Sequence, residues 1–410
     1  MRITALETVR PTLQPNVLFV LLHTDDGHTG LGEAFIGARA VEAYLHETAA
    51  PILLAAPDIG PERAAKLLAP YAGYQGGGVE VRGNGAVDLA LWDLLGKRAG
   101  LPLAALLGGP VRDSVPVYNT CAGPGYIRTS TRQESANWGL PGASRDSPDA
   151  VPDAAHRYED LDAFLTRPAQ LARELWDSGL RGMKVWPFDR AAEETGGNEI
   201  TRAGLRSGLR VLERIREEVG ADMRLMIELH GLWNRPAATD ILRAVQEFAP
   251  FWVEDPLRPD AVDAVVRLAE DTGAPIATGE TLVGRRGFAE LLRRGAVQFA
   301  TVDVQWTGGL TEARRVAGLA DLYGVPVAPH DCTGPATLAA CVHLVCSQPN
   351  GVIQETVRAF LATWYPELVT GLPEVRDGRI VAPEAPGHGV ALRPELLRAG
   401  AAATRAVSRA

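Results

Sequence analysis

Six ionisable residues recur along the second half of the chain, each closing a short apolar run. MRLMIE ends at Glu228, PFWVE at Glu254, APIATGE at Glu280, FATVD at Asp303, VPVAPH at His330 and GVIQE at Glu355, with 23 to 27 residues between successive members. Three carboxylates gathered without partners repel one another, and some of them would take up protons. A divalent cation removes that conflict. All-oxygen donors favour a hard ion, and Mg²⁺ typically keeps positions open for water or substrate. Glu228, Glu254 and Glu280 are therefore candidate Mg²⁺ ligands. Asp303 and His330 form the next pair. An Asp that accepts a hydrogen bond from one imidazole nitrogen fixes the tautomer and raises the basicity of the other. Such a histidine beside a metal is a candidate general base. Glu355, if burial kept it protonated, could donate to a developing oxyanion. His230 lies two residues beyond Glu228 and points to the same side. As an acid for a departing hydroxyl it would contribute about 10²–10⁴-fold. Lys184 is one of three lysines in a chain whose habitual cation is Arg, and it sits with Trp186 on one face of the strand pattern LRGMKVW.

The spacing of these residues is that of one strand, one helix and two short loops. Helical patterns such as AATDILRAVQEF, AVDAVVRLAEDT and TEARRVAGLADLYG fill the gaps. Strand and helix in alternation predict a parallel α/β fold, and charges at successive strand ends place one site on the top face of a (β/α) barrel. The barrel is expected over residues 115–368, beginning at VPVYNT. Residues 1–114 read as a separate α+β domain: three antiparallel strands (MRITALETVR, NVLFVLLHT, TGLGEAF), then helices that include NGAVDLALWDLLGKRAGLPLAALLGG. The glycines of residues 71–79 lack the spacing of a phosphate loop and read as a mobile loop. The Gly-, Pro-, Ser- and Asp-rich stretch at 121–160 reads as a lid or an oligomer contact. Residues 369–410 are expected to pack back on the first domain, with the tail AGAAATRAVSRA frayed. His23 reads as a strand residue, His46 and His156 as solvated, and His343 and His388 as structural.

A net charge of −9 and a pI near 5.5 argue against nucleic acid or an anionic membrane surface as partner. The four cysteines form no CxxC pair, so a reduced, cytoplasmic setting is expected. No apolar run approaches the ~20 residues of a membrane span, and the N-terminus has no signal-peptide core.

With these residues in view, the chain resembles the enolase superfamily, mandelate racemase subgroup. The likeness lies in DGHTGLGE and the GAVDLALWDLLGKRAGLPLAALLGG helix, and in MKVW, the Glu228, Glu254 and Glu280 strand ends, VDVQWTGGLTEA, APHDCTGP and IQET. It implies a modified TIM barrel, an N-terminal α+β capping domain completed by the C-terminal segment, one Mg²⁺, and homo-oligomers such as dimers or octamers. Within the subgroup, ELHG at Glu228–His230 and APHDCTGPATLAA resemble acid-sugar dehydratases of the D-galactonate dehydratase type. That likeness assigns proton abstraction to His330 and hydroxyl protonation to His230, with Lys184 and Glu355 at the carboxylate of a sugar acid. It also makes Phe35, Tyr74 and Gln75 of the cap, and Asn119, Trp186 and Trp306 of the barrel, candidate substrate contacts. Two positions depart from the pattern. Glu228 stands where the family usually has Asp. Trp186 stands where racemases carry a second base, which favours one-sided proton abstraction. The expected reaction is Mg²⁺-dependent conversion of a 2,3-dihydroxy carboxylate to a 2-keto-3-deoxy acid. The alternatives are cycloisomerisation or epimerisation, or a non-catalytic family member.

Overall fold

The computed structural model describes residues 1–69, 77–128, 132–140, 158–398 and 400–409. The first three strands form as their alternation predicts: β1 (Ile3–Pro11), β2 (Val17–Thr24) and β3 (Thr29–Phe35), paired antiparallel. Successive strand residues face opposite ways, and here the two faces enter two different cores. Leu18, Val20 and Leu22 pack with Ala86, Val87, Ala90 and Leu94 of the long helix α1 (Val79–Ala99). Val17 and Phe19 join the main core beneath. The sheet is thus a layer between its own helices and the larger body. Gly30 and Gly32 let β3 lie flat on α1: a Cβ at either would stand 2.1 or 1.9 Å from the carbonyl oxygens of Ala90 and Ala86.

Seven parallel strands follow. They are β4 (Val115–Thr120), β5 (Gly182–Val185), β6 (Arg224–Glu228), β7 (Trp252–Glu254), β8 (Ile276–Thr278), β9 (Phe299–Ala300) and β10 (Gln354–Thr356), in hydrogen-bonded order with β10 returning to β4. The expected strand VPVAPH is not a ladder. It closes the gap between β9 and β10 through isolated bridges, Ala300 to Val327, Val327 to Gly351 and Asp303 to His330. Pro326 and Pro329 have no N–H to give a ladder. Inside the barrel, Tyr118, Met226, Trp252, Ala328 and Ile353 share one apolar cluster. Each stands two residues before Thr120, Glu228, Glu254, His330 or Glu355. The period of two therefore stacks a polar layer directly above an apolar floor.

Cap and barrel are tied by buried polar contacts. Glu33 of β3 accepts hydrogen bonds from Ala336 N and Thr337 N, at 3.1 Å each, at the start of α8 (Pro335–Ser347), and from Thr337 Oγ1 at 2.7 Å. (Helices α2–α7 are the barrel helices Pro168–Asp177, Arg202–Val219, Arg235–Val245, Val262–Thr272, Gly284–Arg293 and Leu310–Leu322.) Asp88 of α1 does the same for Thr311 in the first turn of α7. These carboxylates meet the exposed N–H groups and positive end of a helix dipole.

The tail does not fray. Residues Ala402–Ser408 form β11, antiparallel to β1 with Ala5 opposite Ser408 and Pro11 opposite Ala402. The small side chains of this segment suit an edge strand, and β1 offered an open row of backbone donors and acceptors. His46 is also not solvated; it is buried and bonds Thr8 Oγ1 at 2.9 Å. His23 sits on β2 between Thr29 and Glu7, while His343 and His388 are buried structural residues. His156 lies outside the described residues. Among the described residues, no helix is long and apolar enough to cross a membrane.

Candidate active site

The strand ends bring a set of buried ionisable groups together. Glu228 ends β6, Glu254 ends β7 and Glu280 lies two residues past β8; one oxygen of each lies within 4.8 Å of the others. Lys184 of β5 projects among them. Its Nζ is 3.3 Å from Glu228, 3.0 Å from Glu254 and 2.9 Å from Glu355. Glu355 also accepts from Thr120 Oγ1 and from Asp331 N.

Burial, only partly opposed by Lys184, pushes the Glu254 carboxyl up to about 8. Burial likewise raises Glu280. Glu355 goes the other way: burial would raise it, but the charges of Lys184 and His330 and the Thr120 hydroxyl hold it down to about 2. The lysine beside Glu355 favours its anion, whereas donation to an oxyanion would need the protonated form. Glu254 Oε1 is buried with no donor. An all-carboxylate set with an unsatisfied buried oxygen fits a hard divalent cation, and Glu228, Glu254 and Glu280 would hold it.

Two histidines face the space above, each anchored by its own carboxylate. His330 Nδ1 is 2.8 Å from Asp303 Oδ2, and Asp303 Oδ1 accepts from Gln305 N and Trp306 N at 2.7 and 2.6 Å. The aspartate is thus locked on both oxygens. His330 Nε2 lies 3.4 Å from Glu280. Burial opposes the charged ring, but Glu280, Glu355 and Asp303 hold the His330 imidazole well above its ordinary value. His230 Nδ1 is 2.8 Å from Asp189 Oδ2, and a positive φ of 49° just past β6 turns the residue upward. Burial is outweighed by Asp189 and Glu228, which bring His230 up to about 9.

A cavity of about 230 Å³ covers this group, lined by Phe35 and Arg82 from the cap and by Trp186, His230, Trp306 and His330 from the barrel. Trp186 stands edge-on to the His230 ring at 5.8 Å, and Trp306 covers the His330 ring at 5.2 Å. Asn119 does not line the cavity. Its amide is spent on Asp160 at 2.9 Å and on Arg358 N at 2.9 Å, so it belongs to the packing beneath the loop. Tyr74 and Gln75 lie outside the described residues. The described part of the 121–160 stretch contributes Tyr126, Ile127, Arg132 and Gln133 to the cavity wall.

Three residues escaped the sequence reading. Asp189 lies four residues past the end of β5 and opens the short helix Asp189–Thr195, so the strand-end rule that found the glutamates does not reach it. Gln133 sits in a stretch without periodicity. Arg82 reaches in from α1 and gives no local signal.

Comparison with known proteins agrees with this architecture. Residues 3–108 match the family described as mandelate racemase / muconate lactonizing enzyme, N-terminal domain, and residues 167–396 match the family described as enolase C-terminal domain-like. A D-galactonate dehydratase of Xanthomonas euvesicatoria is 30% identical over 97% of this chain and 94% of its own length. One from Ralstonia nicotianae is 31% identical over 95% of this chain and 92% of its own. Among solved structures, an enolase of the mandelate racemase subgroup from Agrobacterium tumefaciens is 39% identical with a TM-score of 0.85, covering 100% of this chain and 99% of that one.

Proposed function

The chain belongs to the enolase superfamily, in the mandelate racemase / muconate lactonizing enzyme family, and on that footing we propose that it dehydrates a sugar acid to a 2-keto-3-deoxy acid. The observation that carries this reading is the presence of two imidazoles in one small cavity, each oriented by a separate carboxylate. Dehydration needs a base on carbon 2 and an acid at the 3-hydroxyl, and one residue placed for each task meets that need.

A Mg²⁺ held by Glu228, Glu254 and Glu280 would supply Lewis-acid stabilisation of charge on the substrate carboxylate. Lys184 Nζ offsets charge at the same carboxylate, with Glu355 fixing the ammonium. His330 Nε2 takes the carbon-2 proton, since Asp303 holds the proton of the ring at Nδ1. His230 gives a proton from Nε2 to the departing hydroxyl, its Nδ1 engaged by Asp189. Trp186 occupies the face from which a second base would act, so the carbon-2 proton leaves from one side. Cycloisomerisation or epimerisation would use the same base but leave His230 and its aspartate without a task.

The test is a screen of aldonic and aldaric acids with Mg²⁺, reading 2-keto-3-deoxy products. We expect at least one to turn over, with a Mg²⁺-dependent rise in melting temperature that Glu254→Gln removes. Carbon-2 exchange in D₂O without loss of water from any acid would overturn the dehydratase reading.

A further inference from the structure

Two arginines line the cavity besides Lys184: Arg132, which pairs with Glu134 at 3.3 Å, and Arg82 of α1, which the mechanism above does not use. Arg82 Nη1 makes only long contacts, 3.3 Å each, to the carbonyl oxygens of Phe35 and Ile36. Nε is buried and meets no acceptor. The guanidinium lies over the Trp306 ring at 4.9 Å, and that ring in turn covers His330. Among the described residues no carboxylate forms an ion pair with Arg82. Asp303, whose charge reaches it, is already spent on His330 and two backbone N–H groups. Burial accordingly disfavours the charged form of Arg82. A partly buried guanidinium without an anion carries a desolvation cost that an incoming anion would offset.

We infer that Arg82 receives a second carboxylate of the substrate, so that the acid sugar dehydrated here is a diacid. This rests on the acid-sugar reading above. One carboxylate lies at Lys184 and the strand-end glutamates; the other, at the far end of the carbon chain, meets Arg82 above Trp306. The planar fork of Arg matches a carboxylate with two parallel hydrogen bonds. The cavity, at about 230 Å³, is smaller than typical ligand sites, which run from about 300 Å³. It suits an unphosphorylated acid sugar better than one carrying a bulkier phosphate. A monoacid would offer the guanidinium only a neutral hydroxyl there, without charge or a bidentate match, and a site built for a charged partner discriminates against the analogue that lacks it.

Two matched pairs test this: galactonate against galactarate, and gluconate against glucarate, each pair differing only at carbon 6. With Mg²⁺ present, we expect a diacid to exceed its monoacid partner in kcat/KM by at least about 10-fold, the factor of one charge-assisted hydrogen bond. Arg82→Gln should collapse that ratio to within about 3-fold, acting through KM for the diacid, and Arg82→Lys should restore part of it. A merely structural Arg82 would lower both acids alike. Preference for the monoacids, or an equal loss on both, would overturn the inference while leaving dehydration standing. Calorimetric binding of the same acids separates the remaining cases. Diacid binding that depends on Arg82 without any dehydration would sink the proposed reaction and keep the diacid assignment; no binding and no turnover of any of the four would sink both.

Discussion

Replacing Asp303 by Asn isolates the orientation of the proposed base from everything else in the site. In the native chain Asp303 Oδ1 accepts two backbone hydrogen bonds, from Gln305 and Trp306, and Oδ2 faces His330 Nδ1. An asparagine keeps its oxygen on the backbone donors, because those N–H groups have no other partner. Its NH₂ must then face His330, where it requires an acceptor at Nδ1. The ring proton moves to Nε2, the nitrogen that must be bare to take a proton from carbon. General-base catalysis of this kind contributes about 10²–10⁴-fold, or roughly 3–5 kcal/mol of barrier. We expect Asp303→Asn to lose carbon-2 deuterium exchange and dehydration together by that factor. The fold should tolerate it, since both backbone hydrogen bonds survive. The assay is wash-in of deuterium by proton NMR in D₂O, with circular dichroism as the check on folding. A folded variant that exchanges within about 3-fold of wild type would show that His330 does not depend on Asp303 for its tautomer, and the assignment of the base would fall.

The other expectations probe different links. Asp189→Asn should slow loss of the 3-hydroxyl by about 10²-fold or more while carbon-2 exchange continues, since only the His230 ring is misdirected; parallel loss of both activities would contradict separate acid and base. His343 predicts an acid sensitivity of the fold. Its Nδ1 accepts from Ala104 N at 3.1 Å, so a second proton would set two donors face to face, and burial, with His388 nearby and Asp93 only partly offsetting, holds the ring down to about 4 from 6.5. A depressed folded value means full stability above pH 6.5, lost as pH falls towards 4; at pH 5 the loss is about 2 kcal/mol. Urea unfolding at pH 8 and pH 5 should show that decrement in wild type and not in His343→Asn, and equal decrements would refute it. Deleting residues 402–409 strips β1 of its partner along seven paired positions. At roughly 1 kcal/mol per hydrogen bond lost, the cost should be several kcal/mol, visible as a lower melting temperature; an unchanged melting curve would mean the pairing is marginal.

The sequence carried the barrel because its signal is local and repeated. A strand, a helix and a charged strand end recur at near-constant spacing, so Glu228, Glu254, Glu280, Asp303, His330 and Glu355 could be placed on one face before any coordinates. The period of two did the rest, setting each polar residue above an apolar one. Side chains whose role depends on a neighbour from elsewhere in the chain were not legible. The tail became β11 because β1, some four hundred residues earlier, had an open edge. Asn119 left the site because Asp160 and Arg358 claimed its amide. The balance at Glu355 tips towards the anion because Lys184, from a different strand, lies 2.9 Å away.

What the sequence determined by itself was therefore the periodic part: the fold class, the strand-end carboxylates and the Asp303–His330 pair, all fixed by hydrophobic alternation over short spans. What tertiary structure alone decided was which groups share a low-dielectric space. Asp189 meets His230 across two strands, and Arg82 descends from the cap onto Trp306, because the small sheet buries one face against its helices and the other against the barrel. Charge at a buried position is set by such distant neighbours, and no local pattern records them.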